Sequence, residues 1–207
     1  MNDPRAAEAV RFAAETVSDP AAAVRRWKVL SGRKAVGCPL RFPIPEVIAC
    51  VGMLPVFASS GEALRSLRPW LDAWVRSAAP SPPGLEEALD RVESLAEWAE
   101  SASGRPCTEG ALGKTLRTFA ERDAALRLLS ERCAADPGLI ERTDFRNVDR
   151  SGRYLPAEAH ALLVKRILGE GVRIAEPEEM KGDPLLHLAR RIFEKPRYNG
   201  DVKGRHP

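Results

Sequence analysis

A mainly α fold is what this sequence predicts: a helical bundle around a long helical hairpin, with at most one or two short strands. Three observations carry that prediction. Apolar residues return every three or four positions across 85–102 and 109–134, the spacing that gives a helix one buried stripe. Aspartate precedes proline at Asp3-Pro4, Asp19-Pro20, Asp136-Pro137 and Asp183-Pro184. An Asp side chain accepts from the free N–H groups of a first helical turn, and a proline placed there loses no hydrogen bond. Strand signals, by contrast, are few. Only Met53–Phe57 and Val172–Ala175 read as short strands, with Pro55 interrupting the first, where an alternating strand–helix sheet protein of this size shows about five or six.

Taken in order, the first two Asp-Pro pairs open helices over 4–17 and 20–30. Gly37, Cys38 and Pro39 then read as a loop, followed by a short apolar helix near 45–51, a stop at Gly52 and an extended run to Phe57. The stretch Ala78–Gly84 (AAPSPPG) is a stiff linker, since prolines fix extended backbone and remove donors. It divides the chain into units 1–77 and 85–207. In 85–102 the stripe is Leu85, Leu89, Val92, Leu95 and Trp98 or Ala99; in 109–134 it is Leu112, Leu116, Phe119, Leu126, Leu129 and Cys133, with Thr108 as N-cap. Gly104 and Pro106 mark the turn between them, so the pair reads as a hairpin with Leu116 and Phe119 in the core. Asp136, Pro137 and Gly138 stop the second long helix, Pro156 opens another over 156–168, and Pro184 opens one over 184–193 before a basic tail.

Composition narrows the function classes. The 207 residues carry 32 Lys and Arg against 29 Asp and Glu, a net charge of +3, and 44% are hydrophobic. That is enough apolar material for a core, and it rules out disorder throughout. Weak net charge with only 6% aromatics argues against nucleic-acid binding. No run approaches the ~18 apolar residues of a membrane span. The N-terminus lacks a signal-peptide pattern, and Cys38, Cys50, Cys107 and Cys133 lie far apart without a CxxC. The expectation is a cytoplasmic protein with reduced thiols. Cys50 falls on the short helix, and Cys107 and Cys133 on or beside the hairpin, where a small buried hydrophobe is the ordinary role. His160 and His187 read as helix-surface or interface residues.

The least generic segment is 35–57, AVGCPLRFPIPEVIACVGMLPVF. One reading is a buried helix–turn–strand unit whose apolar residues are core. The other is a loop opening into a helix N-terminus, whose unpaired N–H groups bind an anion or a carbonyl oxygen with Arg41 as a charged donor. The run PEVIACVGMLPV at 45–56 resembles the signature of the 2-hydroxyacyl-CoA dehydratase and benzoyl-CoA reductase superfamily, a P-x-E-ϕ-I-x-A-x-G-M-L-P-V pattern. Ile44 stands where that pattern has its first proline. Three further stretches resemble the family in the same order: Leu95–Trp98 with Thr108–Leu112 and its long helix, Leu155–Glu158 with Ala161–Leu163, and Asp183–Ala189. Together they cover about half the chain.

The resemblance implies an internally abridged relative of subunits built from two Rossmann-like α/β lobes. It implies a [4Fe–4S] cluster held by cysteines, one in the loop before the P-x-E helix. Counting back from Glu46 that position is Leu40, and the nearest sulfur is Cys38, the metal ligand expected here. Such clusters take about four thiolates, or three where one iron is left open. By the same resemblance Arg41 and Glu46 are the catalytic residues, and Cys38 and Arg41 bind substrate. Arg41 would stabilise oxyanion charge on a CoA thioester. Cys38 is then expected to be partly exposed and thiol-reactive, and Cys133 buried and inert. Arg25, Arg26, Lys28, Arg33 and Lys34, with Arg190, Arg191 and the tail basics, read either as a solvated basic face or as an attractor for the phosphates of coenzyme A.

Two functions follow as expectations. One is a component of a dehydratase or reductase-like system that acts on CoA thioesters, not catalytic as a lone monomer. The other is a non-catalytic helical partner or scaffold derived from the family. Both expect a second protein subunit or a homo-oligomer, and neither nucleic acid nor a membrane.

Overall fold

The computed structural model describes residues 3–40, 42–58, 62–75, 84–169 and 182–194. The Asp-Pro pairs act as the sequence indicates. Asp3 accepts from the Arg5 N–H at 2.8 Å and opens α1 (Pro4–Ser18); Asp19 accepts from the Ala22 N–H at 2.9 Å and opens α2 (Pro20–Ser31). Asp183 accepts from the Leu185 N–H at 2.8 Å at the start of α9 (Pro184–Glu194). Asp136 instead ends a helix, accepting from the Gly138 N–H at 3.0 Å.

Between α2 and the long helices lies a small parallel sheet. Its strands are β1 (Ala35–Cys38), β2 (Leu54–Phe57) and β3 (Ala73–Trp74), in the order β2-β1-β3. Helix α3 (Pro45–Cys50) crosses from β1 to β2, and α4 (Glu62–Leu67) with a 3-10 turn at Arg68–Trp70 leads to β3. The stretch expected to be a Gly37-Cys38 loop is therefore the central strand. Gly37 is required there, because a Cβ would stand 2.0 Å from Trp74 Cε3. Pro55 is tolerated because Leu54 and Ala58 direct their N–H groups at Lys34 and Cys38 of the β1 side, so the proline nitrogen, one position off, faces outward. Phe57, facing the same way, donates to the Arg153 carbonyl at 2.9 Å.

The remaining helices are α5 (Leu85–Ser103), α6 (Glu109–Ala135), α7 (Arg142–Ser151) and α8 (Ala157–Leu168). Gly104 caps α5 with φ +72°, and the Thr108 hydroxyl caps α6 through the Ala111 N–H. The mainly helical class is thus as predicted. The two long helices follow one another through that turn and share α3 as a neighbour, but their main partners differ: α5 packs on α9, α6 on α8. At 1.5 Å per residue α6 is about 40 Å long, and it spans two cores. Leu112 and Leu116 join Val36, Ile48 and Val92 in one; Ala125 and Leu129 join Val10, Val148 and Val164 in the other. A third cluster, with Val24, Leu54, Val56 and Leu67, covers the other face of the sheet.

Leu116 and Phe119 are buried, as the stripe predicts. The first core runs from β1 and α3 across to α5 and α9, and so joins the units 1–77 and 85–207. Residues 78–83 of the expected linker, and the expected strand Val172–Ala175, lie outside the described residues.

Candidate functional site

The segment 35–57 forms a β1–α3–β2 crossover, and strand alternation decides where Cys38 points. Val36 and Cys38 face the core made with α3 and α5, and Cys38 is 0% exposed. Its thiol lies 3.7 Å from the Val36 carbonyl, and burial pushes its pKa up to about 12. This corrects the expectation of a partly exposed, reactive Cys38: the residue is interior because its loop is a strand, and a buried neutral thiol is a poor nucleophile. Cys133 departs from expectation in the opposite sense. It is half-buried on α6, with burial and the nearby Asp136 charge raising its pKa.

Glu46 occupies the first turn of α3, where Pro45 fixes the helix entry. Its carboxylate is buried, yet fully engaged. Arg191, in the last turn of α9, donates from Nη1 to Oε1 at 2.7 Å and from Nη2 to Oε2 at 2.6 Å. Nη2 also donates to the Pro43 carbonyl at 2.8 Å. The anion sits at a helix N-terminus and the cation at a helix C-terminus, so each end dipole favours its own partner. Arg41, the third expected site residue, lies outside the described residues.

The structure also brings together two residues that sequence reasoning left as separate small hydrophobes. Cys50 ends α3 and Cys107 precedes the α6 N-cap, 57 positions apart, with their sulfurs 2.7 Å from each other. Either sulfur can be the donor across this contact, which lowers the pKa of Cys107 and raises that of Cys50. The Cys107 N–H donates to Glu100 Oε1 at 2.6 Å. Apart from their places at two helix ends, nothing in the sequence signals this pairing.

The donor set does not fit a cluster held through Cys38. Among the described residues no three Cys, His, Asp or Glu side chains gather where they could hold a metal ion. The basic residues before β1 are largely committed to packing: Lys28 pairs with Asp72 at 2.7 Å, Arg25 lies over the Trp70 ring, and Lys34 donates to the Ala102 carbonyl. Next to β2, a cavity lined by Gly52, Leu54, Phe119 and Arg122 holds about 90 Å³, well short of the ~300–1,000 Å³ that a drug-sized ligand occupies. A wider groove of about 650 Å³ lies between α1 and α8, among Asp3, Arg5, Glu8 and Lys165, away from segment 35–57.

His160, expected at a surface or interface, is buried at 1% exposure and bonds the Val148 carbonyl through Nε2 at 2.7 Å. It is interior because Gly152 leaves room for its ring: a Cβ there would stand 2.7 Å from it. No helix among the described residues is long and apolar enough to cross a membrane. Neither the protein-family models nor the curated proteins compared with this chain give a match.

Proposed function

We propose that this chain is a non-catalytic helical partner protein derived from the 2-hydroxyacyl-CoA dehydratase and benzoyl-CoA reductase superfamily, in which the signature segment now serves packing. The observation that carries this reading is the engagement of two of the three expected site residues, Cys38 and Glu46. Cys38 lies in the core of β1, and Glu46 spends both carboxylate oxygens on Arg191. A general acid or base needs a lone pair or proton within reach of substrate, and a cluster ligand needs an accessible thiolate; neither residue offers one. The β1–α3–β2 crossover supports the descent, since parallel strands joined through a helix are the unit of a Rossmann-like lobe. The motifs retained are mostly apolar, as a structural remnant would keep them.

Iron and acid-labile sulfide analysis of the protein purified without oxygen tests the reading, alone and with whatever copurifies with it. Sub-stoichiometric iron in both samples is the expected result. A full cluster bound to this chain would overturn it and restore the catalytic alternative, in which Arg41 and Glu46 act on a CoA thioester.

A further inference from the structure

We propose that Cys50 and Cys107 are a redox-active dithiol that closes into an intrachain disulfide by exchange with a small disulfide such as oxidised glutathione. The sulfurs stand 2.7 Å apart, about 0.6–0.7 Å beyond a disulfide bond. Both thiols are partly exposed, unlike Cys38. Each is carried by a fixed piece of backbone. Cys50 ends a helix whose residues Val47 and Ile48 are core, and Cys107 is pinned between the Glu100 carboxylate on its own N–H and the Thr108 cap of α6. Two thiols held this way have already lost the chain entropy that closing a loop between positions 57 apart would otherwise oppose.

The chemistry balances with the small disulfide as oxidant. The Cys107 thiolate, whose charge the Cys50 thiol stabilises, attacks one sulfur of the reagent. A mixed disulfide forms at Cys107, and the first small thiolate leaves and takes up a proton. Cys50 then loses its proton to solvent and attacks the Cys107 sulfur, expelling the second small thiolate. The two protein thiols are oxidised, one disulfide is reduced, and two small thiols are released. The new bond ties the end of α3 to the α5–α6 turn. Constraining so long a loop raises the melting temperature by roughly 5–10 °C.

The test uses the full reduced chain. It is incubated with oxidised glutathione, its remaining thiols are blocked with N-ethylmaleimide, and the peptides are mapped by mass spectrometry. The expected product is a Cys50–Cys107 cross-link lighter by two hydrogens, with a higher melting temperature that dithiothreitol reverses. Blocking reagent on both cysteines, glutathione left on either without a link, or a link that fails to raise the melting temperature overturns the proposal. In Cys50→Ala the second step is impossible, so glutathione should stay on Cys107; Cys50→Ser, checked by circular dichroism, provides the same readout should the alanine variant not fold. A Cys107 that remains free of glutathione in folded Cys50→Ser, whose hydroxyl keeps a donor beside the Cys107 sulfur, also overturns it.

Discussion

Arg191 grips Glu46 with both terminal nitrogens of its guanidinium, at 2.7 and 2.6 Å, and so fastens the last turn of α9 to the first turn of α3. The two residues are 145 positions apart. The pair gives α9 a fixed seat on the sheet-bearing part of the chain, beside the apolar contact of Leu188 and Ala189 with the same core.

Removing the cation should expose how much the pair contributes. Arg191→Met leaves the Glu46 carboxylate buried and unpaired, and should lower unfolding stability by about 2–4 kcal/mol, towards the lower part of the usual range because Arg191 is one-third exposed. Glu46→Gln keeps an acceptor and should cost less. Chemical denaturation of both single variants and the double variant measures the coupling; additive losses would show that the two act independently.

Phe119 is 5% exposed on α6, with the Arg122 guanidinium 4.6 Å above its ring. Phe119→Ala should cost ~3–5 kcal/mol, from lost burial and the cavity left behind. A change under about 1 kcal/mol in unfolding free energy from denaturant titration would mean that the site collapses without loss.

Native-state alkylation should follow the structural order of the thiols. Cys107 and Cys133 should react well before Cys38, whose burial holds it protonated at neutral pH. Peptide mapping against time reads this directly, and early labelling of Cys38 would place β1 at the surface.

His160 makes stability depend on pH in a stated direction. Burial lowers its pKa in the folded chain below the ordinary 6.5, so the unfolded chain binds a proton that the folded one refuses. Its contribution is complete above about 6.5 and is lost as pH falls through the window beneath it. Urea midpoints from pH 8 to 5 should therefore fall more steeply for the native chain than for His160→Gln. Equal slopes would show that the imidazole titrates alike in both states.

How much of this was legible beforehand depended on whether the signal was local. The three N-terminal caps at Asp3, Asp19 and Asp183 could be read because cap chemistry needs only neighbouring residues. The stripe of α6 could be read because 27 residues repeat the same period. Strand β1 could not: four residues buried on both faces show no alternation, and Gly37 reads as a turn until Trp74 is known to lie against it. Helix α7 lacked a continuous apolar stripe, with Phe145 and Val148 among eight polar or charged residues. Segment 45–56 was correctly read as helix, stop and strand. Its chemistry was not legible, because the partner of Glu46 and the partner of Cys50 are both supplied from distant sequence.

The outward nitrogen of Pro55 has a consequence for how this protein behaves in a crowded solution. A sheet with a free margin can recruit a strand from another molecule, and that recruitment begins with a row of N–H groups waiting for carbonyls. On the β2 margin one of those groups does not exist, at Pro55, and the next, at Phe57, is already spent on Arg153. A second copy laid along β2 would find no donor at two successive outward positions. The same proline that obscures the strand in the sequence thus protects the folded chain against edge-to-edge aggregation through β2, and replacing it would create a foothold for that self-association.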